Sequence, residues 1–322
     1  MTKTSCAILD DYQDAARGAA DWNRISGNVA IERFADHIAD RAALAERLAK
    51  FEVIVAMRER TAFDDDLFSR LPNLKLLITT GMVNAAIDLD AAKRHGVMVC
   101  GTRGSVGPAA ELAFGLLLSV MRNIPAESAN FHAGGDQWQL SVGRDLNGKT
   151  LGVVGIGKLG QRVARYGQAF GMNVIGWSKN VTPERCEALG IGYAATLRDL
   201  LAGSDAVSLH LTLNAETRGI IGERELAAMK RDAVIVNTSR GPLVDEAALV
   251  AALRDGRLGG AGLDTFDQEP LPAGHPLRGM ANVVATPHLG YVTAETYAIY
   301  YADAVEDIAA WLAGSPVRVL NA

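Results

Sequence analysis

Short apolar runs separated by longer amphipathic stretches recur along the whole chain. Early runs are Cys6-Ala7-Ile8-Leu9, Val53-Ile54-Val55-Ala56, Leu76-Leu77-Ile78 and Val97-Met98-Val99. Continuous runs of this kind suit strands buried on both faces of a parallel sheet. Between them, residues 42–50 and 89–95 carry apolar positions at helical spacing. A second set begins at Leu151 and continues through Val174-Ile175, Ala206-Val207-Ser208-Leu209, Ala233-Val234-Ile235-Val236 and Val283-Val284-Ala285. Alternation of this sort predicts an α/β protein whose parallel sheets are covered by helices on both faces. The chain divides near residue 102.

The join reads as helical. Pro108 suits a first helical turn, and residues 109–122 form a strongly apolar helix. Such a helix is buried between domains or used in a dimer. Residues 130–148 are glycine-rich, contain Trp138 and read as an irregular arm. A last helix is expected over residues 294–313, with Tyr297, Tyr300, Val305 and Ile308 among its apolar positions. No repeat of solenoid length and no low-complexity tract interrupts the pattern.

Size and composition narrow the class. A chain of 322 residues holds two cores, and 49% hydrophobic with 21% charged residues is ordinary for a globular enzyme. A net charge of −5 without a basic block argues against nucleic acid. The apolar stretch at residues 112–121 is too short to span a bilayer. The first residues carry no long apolar run, so the cytoplasm is the expected location. Cys6, Cys100 and Cys186 lie apart, with no metal spacing and no disulfide frame.

The most informative stretch is Leu151-Gly152-Val153-Val154-Gly155-Ile156-Gly157-Lys158-Leu159-Gly160. A buried-strand pattern runs directly into Gly-x-Gly-x-x-Gly, and residues 161–170 continue as a helix. This is how a chain lays a dinucleotide pyrophosphate on a helix N-terminus. Gly155 permits the tight turn, Gly157 lets backbone approach phosphate, and Gly160 lets helix press on strand. With 33 glycines in 322 residues, chance alone supplies about 0.3 such matches. Context decides: the similar Gly190-Ile191-Gly192-Tyr193-Ala194-Ala195 follows no apolar run and reads as a loop before a strand.

Chemistry concentrates in segments placed just beyond predicted strands. They are Asn237-Thr238-Ser239-Arg240-Gly241-Pro242, Gly262-Leu263-Asp264-Thr265-Phe266-Asp267-Gln268-Glu269-Pro270, and Thr286-Pro287-His288-Leu289-Gly290. Open α/β sheets bind ligands at that edge. A guanidinium fork grips a carboxylate and an adjacent carbonyl together. A protonated imidazole beside a carboxylate can donate a proton as hydride arrives at carbon. His37, His95, His132 and His275 lack such company and read as structural or solvated; His210, at a strand end, could face a cofactor.

Together these segments resemble the D-isomer-specific 2-hydroxyacid dehydrogenase family, in order and spacing, over essentially the whole chain. The resemblance implies two doubly wound parallel-sheet domains, a Rossmann cofactor domain over residues 103–290 inserted in a flavodoxin-like substrate domain formed by residues 1–102 and 291–322. It implies hydride transfer between a nicotinamide dinucleotide and a small 2-keto acid such as glyoxylate or hydroxypyruvate. Carried over residue by residue, Arg240 matches the substrate-binding arginine, His288 the acid/base, and Glu269 its carboxylate partner. Asp264 matches the residue that holds the nicotinamide carboxamide. Gly155, Gly157, Lys158, Leu159 and Gly160 would cradle the pyrophosphate, with Thr238 and Ser239 also toward the cofactor. A homodimer paired through the residue 109–148 region is implied, with no metal.

The chain departs from the family pattern at two places. After the second strand of the cofactor unit, an NAD-type member carries an Asp near Ser178 for the ribose hydroxyls. Here Ser178, Lys179 and Asn180 all donate hydrogen bonds, which favours NADP over NAD. In the substrate loop, Thr80-Gly81-Met82-Val83 has Val83 where the family usually has a second glycine, and Tyr291 stands where a small residue is common. The family's substrate carboxylate is expected on backbone amides of that loop. Thr80, Gly81, Met82 and Tyr291 are therefore candidate substrate contacts. Arg58 and Arg60, after the Val53 strand, are candidate anion contacts or solvated residues. Two alternatives stay open: phosphoglycerate oxidation on the same scaffold, for which Met82-Val83 supplies no cation, and a dinucleotide-sensing binding protein.

Overall fold

A computed structural model describes residues 2–322. The chain forms two compact units, one of Met1–Ser105 with Val292–Ala322 and one of Val106–Tyr291. Each builds its own parallel sheet.

The first unit contains β1 (Thr4–Ile8), β2 (Val29–Arg33), β3 (Val53–Ala56), β4 (Leu76–Thr79) and β5 (Met98–Gly101), in the order β2-β1-β3-β4-β5. All neighbours are parallel. This is the flavodoxin-like order, whose switch point lies between β1 and β3. β3 and β4 are wholly buried, which explains their unbroken Val-Ile-Val-Ala and Leu-Leu-Ile-Thr sequences. The edge strand β2, half exposed and alternating, carries a signal too weak to read from sequence. The helix Ala294–Leu312 returns to this unit, burying Tyr297, Tyr300, Tyr301, Val305 and Ile308.

In the second unit the strands are β6 (Thr150–Val154), β7 (Asn173–Trp177), β8 (Gly192–Tyr193), β9 (Ala206–Leu209), β10 (Val234–Asn237), β11 (Gly260–Leu263) and β12 (Val283–Ala285). Their order is β12-β11-β10-β9-β6-β7-β8, the Rossmann arrangement with one further strand. The region around Gly190 is not wholly loop: Gly192 and Tyr193 pair with β7 as a short edge strand.

One expectation about the join, that of an irregular arm, needs correction. The apolar helix is Gly107–Arg122, and it belongs to the core of the second unit: Ala110, Ala113, Leu116, Leu117 and Val120 pack with Leu151, Val163, Val234 and Val236. The stretch read as an irregular arm begins inside a helix, Ile124–Ala133, started by Pro125 after the left-handed Asn123. None of its residues is buried, so no apolar period announces it. Beyond it Trp138 is 78% and Val142 96% exposed.

Candidate functional site

β6 ends at Val154, and the chain turns at Gly155 with φ +98, a conformation that favours glycine. A Cβ there would also meet the carbonyl of His210. Gly160 sits in the first turn of the helix Lys158–Ala169, where a Cβ would collide with the Gly155 carbonyl. Gly157 is the N-cap, makes no side-chain cap, and has nothing within 4 Å of where its Cβ would be. The helix therefore presents N–H groups uncapped by any side chain, beside open space. A dinucleotide pyrophosphate fits this cradle through the amides of residues 157–160. Lys158 is exposed and Leu159 half-buried, its side chain packed on the unit's core.

At the end of β7, Ser178 is half-buried and Asn180 exposed. The Lys179 ammonium pairs with Glu216 at 2.7 Å, both side chains about 70% exposed, at 71% and 69%. Glu216 sits in the turn after β9, and the pairing holds its carboxyl below the usual range. This partner was invisible in the sequence because the two residues lie 37 positions apart.

The ends of β10, β11 and β12, adjacent in the sheet, bring the three chemical segments together. Arg240 follows β10. Asn237 Nδ2 donates to its carbonyl at 2.9 Å, and Arg240 Nη1 donates to the Ser239 carbonyl at 2.7 Å. Ser239 Oγ donates to Leu209 O at 2.8 Å, and Thr238 is buried. The next residue, Gly241, lies so close to the Phe266–Asp267 backbone that any Cβ would collide with it. That contact seats the arginine loop on the glutamate loop, a role the sequence reading gave no residue.

Glu269 then works in two directions. Its Oε1 accepts from Phe266 N at 2.9 Å, and its Oε2 accepts from His288 Nδ1 at 2.7 Å. With Nδ1 donating to the carboxylate, Nε2 remains as the nitrogen that can deliver a proton. His288 takes φ +56, a left-handed conformation uncommon outside glycine. Asp264, wholly buried, holds that loop. Its Oδ1 accepts from Thr286 Oγ1 at 2.6 Å and Leu289 N at 2.7 Å, and its Oδ2 from Gly290 N at 2.8 Å. Burial raises its pKa despite these donors. A carboxamide N–H would be a further donor on a carboxylate already committed to the histidine loop. Tyr291 stands edge-on to the His288 ring, centroids 5.5 Å apart.

In the first unit, the loop after β4 is anchored by its own hydrogen bonds. The amide of Thr80 donates to Ala56 O at 3.0 Å and that of Gly81 to Thr102 Oγ1 at 2.8 Å. Both amides are engaged within the first unit, and Met82 and Val83 stand exposed at the loop tip. Thr80 is fully buried, its hydroxyl accepting from Arg58 N at 2.9 Å. Arg58 and Arg60 are half-buried, and Arg58 Nη1 donates to Thr80 O at 3.1 Å.

Elsewhere, His210 is half-buried beside the turn at Gly155, its Nε2 lying 2.8 Å from Ser208 Oγ. Burial pulls its pKa down to about 4. The cysteines are free and buried. Among the described residues, no group of three His, Cys, Asp or Glu could hold a metal, and no helix is long and apolar enough to cross a membrane.

Comparison with known proteins gives a consistent result. The family profile described as D-isomer specific 2-hydroxyacid dehydrogenase, NAD binding domain, matches residues 114–290. A glyoxylate reductase of Aeropyrum pernix is 40% identical over 268 residues, covering 80% of this chain and 79% of that protein. A D-3-phosphoglycerate dehydrogenase of Methanocaldococcus jannaschii is 38% identical over 253 residues, covering 78% of this chain. The match spans only 48% of that longer protein. The crystal structure of a phosphoglycerate oxidoreductase from Vibrio cholerae O395 superposes with a TM-score of 0.92 at 39% identity, covering 98% of this chain and all of that one.

Proposed function

The chain belongs to the D-isomer specific 2-hydroxyacid dehydrogenase family, and from that premise we propose that it reduces an unphosphorylated 2-keto acid to the D-2-hydroxy acid. The observation that carries this reading is the Arg240–Glu269–His288 set at the ends of three adjacent parallel strands. When bound, the reduced nicotinamide dinucleotide supplies hydride to the keto carbon. Arg240 takes the substrate carboxylate and the adjacent carbonyl oxygen in its fork. Negative charge develops on that oxygen, and the guanidinium and a protonated His288 offset it. The proton moves from His288 Nε2 to the oxygen, and Glu269 steadies the imidazolium until it is released.

Asp264 is assigned to the loop that carries His288 and, through its remaining acceptor capacity, to the carboxamide. Gly155, Gly157, Lys158, Leu159 and Gly160 are assigned to the pyrophosphate, Thr238 and Ser239 to the nicotinamide side. In the first unit, Met82 and Arg58 are assigned to substrate, and Tyr291 to the surroundings of His288.

For the cofactor, the missing carboxylate on β7 supports NADP, with Ser178, Lys179 and Asn180 as donors. Glu216 opposes this by neutralising Lys179. NADP remains the favoured partner, with NAD as the competing one. Glyoxylate and hydroxypyruvate are the smallest probes of the substrate class. A phosphorylated acid is disfavoured, because Met82 and Val83 at the loop tip bring no cation. The exposed arm carrying Phe131, Trp138 and Val142 supports a homodimer. Oxidation of NADPH or NADH on adding a 2-keto acid tests the reading. Tight cofactor binding without turnover of any keto acid would move the protein to a sensing role.

A further inference from the structure

We infer that the first unit binds a small zwitterion, an α-amino acid with an apolar side chain, in a cavity between its edge strand and the two short helices that follow β1. The cavity arises from the lengths of these elements. The helices Ala16–Ala19 and Asn23–Ser26 have four residues each, about 6 Å of axis apiece. β2 has five residues, about 17 Å, and stands at the edge of the sheet beside β1. The helices therefore leave part of the two strands uncovered. A cavity of about 400 Å³ remains there, within the size range of small-molecule sites. Its lining falls within residues 8–33, so it belongs to the first unit alone, and Arg58, Thr80 and Met82 take no part in it.

Strand alternation decides what the sheet offers to this space. Ile8 pairs with Arg33 and Cys6 with Ile31, so Ile8, Ile31 and Arg33 point to one face, and all three line the cavity. Ala7 points to the other face, into a core shared with Leu44 and Phe51. Ala20 and Trp22 form the facing wall. Trp22 is held in place: its indole N–H donates to Ala16 O at 2.7 Å, and its ring centroid lies 6.0 Å from that of Tyr301. The apolar wall is thus ordered before a ligand arrives, which lowers the cost of binding.

Three charged side chains border this wall without neutralising one another. Among the described residues, Arg17 makes no hydrogen bond and no ion pair. Arg33 has a loose ion pair, Nε to Asp14 Oδ1 at 3.5 Å, and no hydrogen bond. Asp21 Oδ1 accepts from Asn23 N at 3.2 Å, and no cation pairs with its carboxylate. Arg17 and Asp21 stand four residues apart, the spacing at which opposite charges meet along a helix. Extended Ala20 ends the helix between them, which keeps the two charges apart across the cavity. With Arg33 partly balanced by Asp14, one positive and one negative charge remain. A carboxylate suits the guanidinium of Arg17, an ammonium suits Asp21, and an apolar side chain covers Ile8, Ile31 and Trp22. A simple anion would leave Asp21 unanswered, and a simple cation would leave Arg17 so.

Isothermal titration calorimetry on the intact protein tests this, with L-leucine, L-phenylalanine, 4-methylpentanoate and 3-methylbutylamine as probes. The last two are leucine without its ammonium and leucine without its carboxylate. The expected result is one site per chain with a Kd of about 1 mM or tighter for at least one of the amino acids. Either truncated probe should bind at least about tenfold more weakly. Arg17→Gln and Asp21→Asn should each weaken amino-acid binding by about fivefold or more. Both side chains are exposed, so the thermal midpoint without ligand should stay at the wild-type value. No binding of either amino acid at about 10 mM overturns the inference. A truncated probe that binds as tightly as the amino acid overturns the zwitterion class. Binding that neither variant weakens overturns the assignment to this cavity.

Discussion

His288 Nδ1 and Glu269 Oε2 meet at 2.7 Å, joining the loops that follow β12 and β11. Replacing the carboxylate by an amide keeps the size and one oxygen for Phe266 N, but turns an N–H toward the imidazole. The ring can then no longer carry its second proton against a negative partner. Glu269→Gln should lower kcat for reduction by about 10- to 100-fold with a smaller change in KM. An unchanged kcat between pH 6 and 9 would show that the pair does not serve the chemistry.

Arg240 is tethered through its own Nη1 to the Ser239 carbonyl, so its fork is oriented before substrate arrives. Arg240→Ala should raise KM for the keto acid at least about tenfold and also slow turnover. Arg240→Lys should restore little, because a point charge does not reproduce two parallel donors. Initial rates over a range of keto-acid concentrations decide it.

The Lys179–Glu216 pair makes cofactor choice adjustable from two sides. Ser178→Asp should shift the kcat/KM ratio toward NADH, by supplying a carboxylate for ribose hydroxyls and repelling a 2′-phosphate. Glu216→Gln, by releasing Lys179, should shift it toward NADPH. Both partners are largely exposed, so the second shift should shrink at high salt. Ratios that stay put in both variants would remove this region from ribose reading.

Burial holds His210 neutral, with its pKa pulled down to about 4 from an ordinary 6.5. A depressed pKa contributes stability that is present above 6.5 and lost as pH falls toward 4. The thermal midpoint should therefore drop between pH 7 and pH 5, and His210→Gln should drop less over the same interval. Equal drops in the two proteins would assign the acid sensitivity elsewhere.

Much of this arrangement is legible in the sequence, for identifiable reasons. β3, β4 and β10 are buried on both faces, so their apolar runs are unbroken. The Gly155–Gly160 spacing is set by steric contacts that only glycine satisfies. β11 was harder to see, because Gly260-Ala261-Gly262-Leu263 carries little apolar signal. Its glycines answer to packing: a Cβ on Gly260 would come within 2.7 Å of Asn282 O and of Val120 Cγ1, and one on Gly262 within 3.0 Å of Leu116 Cβ. The helix Gly107–Arg122 lies that close. What no local pattern could supply were partners made by folding. Glu216 reaches Lys179, Thr102 occupies the Gly81 amide, and Thr80 binds Arg58.

The account turns on His288 as the proton donor. The most direct measurement compares oxidation of the reduced cofactor by wild type and His288→Ala with a 2-keto acid, alongside cofactor affinity by fluorescence titration. The predicted result is a kcat lowered by about a thousandfold or more, with the cofactor Kd within about twofold of wild type. A variant that binds cofactor and turns over at the wild-type rate would contradict it.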